Sequence, residues 1–184
     1  EQTGDSGTSG LLRDLRVYVY LLQGDTENGY AELKKNWAAD TSLELPKLQL
    51  LFQLALKNKS GKESAYWGDQ ILKNHPDQLK NPVFLNNLCM ALALQLKELS
   101  TPAETDALRP RLMQYTGNLL RIRRDAGALH TASFAYEQAG DIAKAVEMIR
   151  LCRSLAPDDK EYLEIQKRLE NQLRDLLRKT GGGN

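Results

Sequence analysis

Histidine is almost absent from this 184-residue sequence, with His75 and His130 its two examples. They form no His-x-x-x-His motif and no Cys/His cluster, so the ligands of a zinc site are missing. The two cysteines, Cys89 and Cys152, stand far apart, form no Cys-x-x-Cys pair and lie inside apolar helical patterns. That placement predicts buried free thiols, with a disulfide between distant helices as the alternative. No apolar run approaches the roughly 18 residues that cross a bilayer. β-Branched residues are thin outside residues 16–20, and no stretch reads as a convincing strand. Lys+Arg 25 against Asp+Glu 24 leaves a net charge of +1, which predicts no general attraction to nucleic acid or an anionic membrane.

The patterns that serve catalysis are missing as well. Ser6 and Ser9 lie among glycines, but not in Gly-x-Ser-x-Gly and not after a strand. The glycines at 181–183 lack both the lysine and the following helix of a phosphate loop. Neighbouring carboxylates such as Asp158 and Asp159 read as helix starts, and His75 before Pro76 as a helix end. No enzyme activity, no cofactor and no metal are therefore expected.

Good helix formers dominate what remains: Leu, Ala, Lys, Glu, Gln and Arg. The 41% apolar and 27% charged content is that of a soluble globular protein. Residues 1–10, rich in Gly and Ser, read as a flexible tail or linker, and 180–184 as a disordered tail. Between them the apolar spacing predicts nine helices, over about 11–22, 26–39, 43–57, 62–74, 82–99, 101–124, 127–139, 142–155 and 159–179. Leu12, Leu15, Tyr18 (or Val19) and Leu22 give the first stripe. Gly24–Asp25 separates the first pair, and Ser60–Gly61 ends the third helix. Thr101-Pro-Ala-Glu104 has the form of a capping box, and a bend or restart is expected at Pro110. The helix after Asn81–Pro82 is apolar nearly all round and should lie centrally. In the last helix Tyr162, Ile165, Leu169, Leu173 and Leu176 form one stripe. Glu164–Arg168, Glu170–Arg174 and Asp175–Lys179 offer ion pairs on its outer faces.

Residues 126–159 carry the clearest pattern. Leu129, Ala132, Ser133, Tyr136, Ala145, Ile149 and Pro157 fall at the fixed spacings of a helix–turn–helix repeat. Small residues at Ser133 and Ala145 let two helices approach closely, and Gly140–Asp141 makes the turn. This stretch resembles a tetratricopeptide repeat (TPR), although Trp, Leu, Gly and Phe are typical where Leu129, Ala132, Ser133 and Ile149 stand. The resemblance, looser over 11–99, implies an all-α fold. Antiparallel helix hairpins would form a TPR-like α-solenoid over 11–179, with helix 159–179 as its cap.

Such repeats bind proteins or peptides in a groove lined by the first helix of each pair. Beside the packing positions, His130, Phe134, Glu137 and Gln138 would face the groove, and Asn86, Asn87 and Met90 take similar places on the central helix. Phe134 would anchor an apolar side chain or pack against the 105–124 helix. The Asn pair would bond a peptide backbone or bridge to buried water. Arg109, Arg121 and Arg124 share one face at 100° per residue, a solvated face or a site for an anionic partner. Arg111 and Arg123 flank it. The expected function is a protein- or peptide-binding scaffold, with a homodimer through 159–179 as a further prospect. The other reading makes the chain the C-terminal accessory part of a larger bacterial enzyme, such as a secreted thioredoxin-like protein. Compartment is left open: cytoplasmic or, after loss of a signal peptide, periplasmic or secreted.

Overall fold

The computed structural model describes residues 15–37 and 43–181. Among them are nine α-helices and no strand: α1 (15–22), α2 (Thr26–Trp37), α3 (Leu45–Lys57), α4 (Gly61–Asn74), α5 (Pro82–Glu98), α6 (Pro102–Ile122), α7 (Ala126–Gln138), α8 (Ile142–Leu155) and α9 (Lys160–Gly181). A 3-10 turn, Pro76–Lys80, precedes α5. The expected all-α architecture of antiparallel hairpins is what the chain adopts. The tail at 1–10, residues 11–14 of the first expected helix, Ala38 and Ala39 of the second, and 182–184 lie outside the described residues. The last helix continues to Gly181, with Thr180 Oγ1 donating to the Leu176 carbonyl at 3.1 Å. The chain forms two compact units, Glu1–Pro76 and Asp77–Asn184.

Three hairpins close with the same turn. After α1, Gly24 N–H bonds the Leu21 carbonyl and Asp25 N–H the Tyr20 carbonyl; after α7, Gly140 and Asp141 bond Glu137 and Tyr136 in the same way. This is the Schellman arrangement, which needs a left-handed residue at its penultimate position. Gly24 (φ 76°) and Gly140 (φ 85°) supply it, and a Cβ at either would meet nothing within 4 Å, so backbone conformation alone calls for glycine. Asp25 and Asp141 then cap the next helix by accepting from Asn28 N–H and Lys144 N–H at 3.1 Å. The turn after α3 copies these bonds through Lys59 and Ser60, but the left-handed residue is Lys59 (φ 56°). Sequence pattern points to Gly61 as the breaker there; Gly61 is instead the buried first residue of α4.

In the first unit Leu33, Leu48, Leu51, Phe52, Ala55 and Ile71 form the interior. Leu21 of α1 closes on Gly29 of α2 so tightly that a Cβ there would meet Leu21 Cδ2 at 3.0 Å. The first helix presents the reverse of the expected face. Val17 is 5% exposed, whereas Leu15, Tyr18, Val19 and Leu22 are 48–70% exposed. Residues 15–22 are apolar on both sides, so periodicity selects no inner face. Tyr66 on α4 is also exposed.

In the second unit α5 packs on α6 and α7, α7 on α8, and α8 on α9. Leu129, Ala132, Ala145, Ile149, Cys152 and Leu169 share one core. Ser133 Oγ, 1% exposed, donates to the Ala145 carbonyl at 2.8 Å, tying α7 to α8 where the helices come closest. The α9 stripe packs as expected from Tyr162 to Leu173, while Leu176 is 43% exposed. Of the bend or restart expected at Pro110, the restart does not occur. Helix α6 runs on through it, because Pro110 and Asp106, whose carbonyl loses its partner, both face solvent. The α9 ion pairs differ from those expected: Arg168 binds Glu137 of α7 and Glu170 binds Arg150 of α8 at 2.8 Å, while Asp175 pairs along α9 with Arg178 at 3.8 Å.

Cys89 and Cys152 are both free and fully buried. Burial pushes the Cys89 thiol up to about 12 and raises that of Cys152, whose Sγ donates to the Ala126 carbonyl at 3.1 Å. Neither thiol should react with Ellman's reagent in the folded protein, and both should react on unfolding. Rapid labelling of the native chain would contradict that burial. For the turns, Lys59→Gly should raise stability by about 0.5–1 kcal/mol and Gly140→Ala should lower it by about 1 kcal/mol in thermal melts. A Lys59→Gly protein that melts earlier would show that Lys59 is not strained.

Candidate functional site

Helix α5 starts at Asn81, whose Oδ1 accepts from Val83 N–H at 3.0 Å and Phe84 N–H at 3.3 Å, with Pro82 in the first turn. Helix α7 starts at Asp125, which accepts from Ala128 N–H at 2.9 Å. The Ala128 amide and the Arg123 guanidinium hold the Asp125 carboxyl below the usual range. These caps fix two neighbouring helices whose inner sides are filled by Leu85, Leu88, Cys89, Ala128, Leu129 and Ala132. The expected groove residues are therefore displaced from the core.

Asn86, Asn87 and Met90 are half-buried on α5. Asn86 Oδ1 is shielded from solvent and has no hydrogen-bond partner. On α7, His130, Phe134, Glu137 and Gln138 are also half-buried. The His130 ring lies 5.3 Å from that of Tyr162 on α9. Glu137 receives both guanidinium arms of Arg168, one at 2.8 Å. The Glu137 side chain is 13% exposed, and this partner raises the Arg168 pKa further. Helix α9 thus reaches the two ends of the α7 row, leaving Phe134 between them.

The arginines of α6 do not converge. Arg109 pairs with Asp106 at 2.9 Å and lines a cleft of about 570 Å³ with Met113, the α7–α8 turn, Leu173 and Leu176. Arg124 donates to the Leu120 carbonyl at 2.9 Å, capping its own helix, and lines a different cavity of about 260 Å³ beside Met148, Leu151 and Leu155. Arg121 bonds Asn118, and Arg123 bonds Asp125. Arg111 lies over the Tyr115 ring at 5.5 Å. Among the described residues no group of three or more His, Cys, Asp or Glu could hold a metal ion. No helix among them is long and apolar enough to cross a membrane.

A polar network in the first unit escapes sequence reading. Trp67 Nε1 donates to Tyr30 Oη at 2.7 Å, Tyr30 Oη donates to Glu63 Oε2 at 2.6 Å, and Lys34 Nζ donates to both Glu63 oxygens at 2.9 and 3.0 Å. Bonds from Lys34 and Tyr30 hold the Glu63 carboxyl below its usual range, while burial and Glu63 push the Tyr30 phenol upward. Tyr30 and Trp37 share a face of α2 in the sequence, but nothing local pairs them with α4.

No family model matches the sequence, and no curated protein matches it. Solved structures do resemble it. TTC0263, a thermophilic TPR protein of Thermus thermophilus, is 15% identical, with a TM-score of 0.61 over 87% of this chain and 80% of its own. A double mutant of MamA RS-1 is 15% identical, with a TM-score of 0.64 over 90% and 85%. MamA 41-end from Desulfovibrio magneticus RS-1 is 14% identical, with a TM-score of 0.59 over 95% and 97%. At such identities the likeness concerns the fold, and the fold of this chain is that of the TPR-like helical repeats.

Proposed function

We propose that the chain is a protein-binding scaffold without catalysis of its own, and that it takes a peptide along the α5 and α7 rows. The observation behind this reading is Asn86. A shielded carbonyl oxygen with no donor is costly, and turning the half-buried Asn86 amide outward would present it to a peptide N–H laid beside Asn86 and Asn87. Phe134 and Met90 would supply the apolar contact, with His130, Glu137 and Gln138 along the α7 row. The ion pair Glu137–Arg168 would orient the edge of the groove. Peptides selected by display against the immobilised protein provide the probe. Phe134→Ala and Asn87→Ala should each weaken selected peptides about tenfold, the loss of one well-buried contact, with little change in the melt. Peptides that bind both variants as tightly as the parent would refute this groove.

A second reading concerns self-association. Leu176 and Leu177, at the end of α9, are 43% and 61% exposed on an amphipathic helix. Burying both against a second α9 would remove them from water, as a short coiled-coil seam does. Sedimentation equilibrium should then show a dimer that Leu176→Glu with Leu177→Glu converts to monomer. A monomeric parent chain at high concentration would dispose of this reading.

A further inference from the structure

Among the described residues no helix covers the outer side of α8 over its second half. Leu151 and Leu155 are 45% and 57% exposed there. With Leu120, Leu129 and Met148 they line a cavity of about 260 Å³ between the end of α6, the start of α7 and α8. Leu129 and Met148 are themselves buried. Single exposed leucines are ordinary, but two of them one helical turn apart, beside an apolar cavity, make a continuous patch.

Two charged groups line this cavity, and their signs are opposite. Glu147 comes from α8, one turn before Leu151, and Arg124 from just past the end of α6. Arg124 Nε caps α6 through the Leu120 carbonyl, which leaves its two terminal nitrogens without a bond among the described residues. The Glu147 carboxylate has no bonded partner among them either. The charges three residues to either side of it are engaged, Lys144 with Asp141 and Arg150 with Glu170. Cys152 Sγ reaches the Ala126 carbonyl at 3.1 Å, so the last turns of α8 run beside the start of α7, two residues after Arg124. Along α8, Glu147 and Arg124 therefore lie on opposite sides of Leu151.

We propose that this patch pairs two copies of the chain. A face with an acid and a base on either side of an apolar centre is complementary to itself after a half-turn. When two α8 helices cross antiparallel about Leu151, each Glu147 comes opposite Leu155 of the second copy and faces its Arg124. The same contact is then made twice. An acidic or a basic peptide would satisfy one of these groups and set the other against its like, so a second copy fits better. Burial of Leu151 and Leu155 drives the association, and the two ion pairs fix its direction. The patch is short, so the dimer is weak and depends on concentration. Leu176 of α9 borders the α7–α8 turn, at the other end of α8, which separates this contact from the α9 seam considered above.

Sedimentation equilibrium up to about millimolar concentration reads the pairing. The parent chain should show monomer and dimer in equilibrium. Leu151→Glu should weaken the dimer at least tenfold with little change in the melt, and Leu176→Glu with Leu177→Glu should leave it intact. Glu147→Arg and Arg124→Glu, both at exposed positions, should each weaken it about tenfold by setting like charges face to face. Mixing these two single variants should restore a heterodimer, and the chain carrying both reversals should pair like the parent. A general loss of structure gives no such rescue. A parent chain that stays monomeric would overturn the proposal and leave the patch to a different protein. Single reversals that pair as well as the parent, or a mixture that does not recover, would overturn it too. A dimer lost with the α9 variant but kept with Leu151→Glu would assign the association to α9 and remove it from α8.

Discussion

The close approach of α7 and α8 is the constraint on which the second unit depends. Ser133 and Ala145 meet at that crossing, and both are buried. A larger side chain at either would force the helices apart and unseat Leu129, Ile149 and Cys152, which share their core. Serine adds a bond from its hydroxyl to the Ala145 carbonyl, which satisfies the polar group that burial would otherwise penalise. Helix α9 then seats Leu169 on the surface this pair creates, and it is fully buried there.

The turns convert that packing into a repeated hairpin. A left-handed residue followed by a capping one reverses the chain within a few residues, and the same bonds recur at Gly24, Lys59 and Gly140. The Lys59 turn shows that hydrogen bonding and helix packing impose the conformation even where the residue is poorly suited to it. Ionic and polar bonds add to the apolar contacts between hairpins. Arg168–Glu137 and Arg150–Glu170 join α9 to α7 and α8, and the Trp67–Tyr30–Glu63–Lys34 chain joins α4 to α2. These contacts leave the apolar surfaces to set stability, while the charges fix how neighbouring helices are aligned.

Legibility differed between fold and site. The helices, the GD turns, the caps at Thr101 and Asp159 and the α8–α9 seam follow from spacing and residue type, because they involve partners a few residues apart or one continuous stripe. The groove candidates were legible only as positions offset from the packing set. His130 meets Tyr162 and Glu137 meets Arg168 because α9 folds back beside α7, some thirty residues on. The arginines of α6 share a helical face, yet each finds a partner within its own helix or the next turn.

Sequence by itself determined the helical class, the hairpin spacing, the small residues at the α7–α8 crossing and the absence of catalytic motifs. All of these depend on local conformational preference and on which side of a helix is apolar. Tertiary structure decided the questions local chemistry leaves degenerate. It set which face of the doubly apolar α1 turns inward and which side of α4 exposes Tyr66. It also set which acids and bases meet across helices. Periodicity specifies a helix and its apolar stripe. Pairing between helices depends on the three-dimensional order in which they stack, and only the folded chain supplies that.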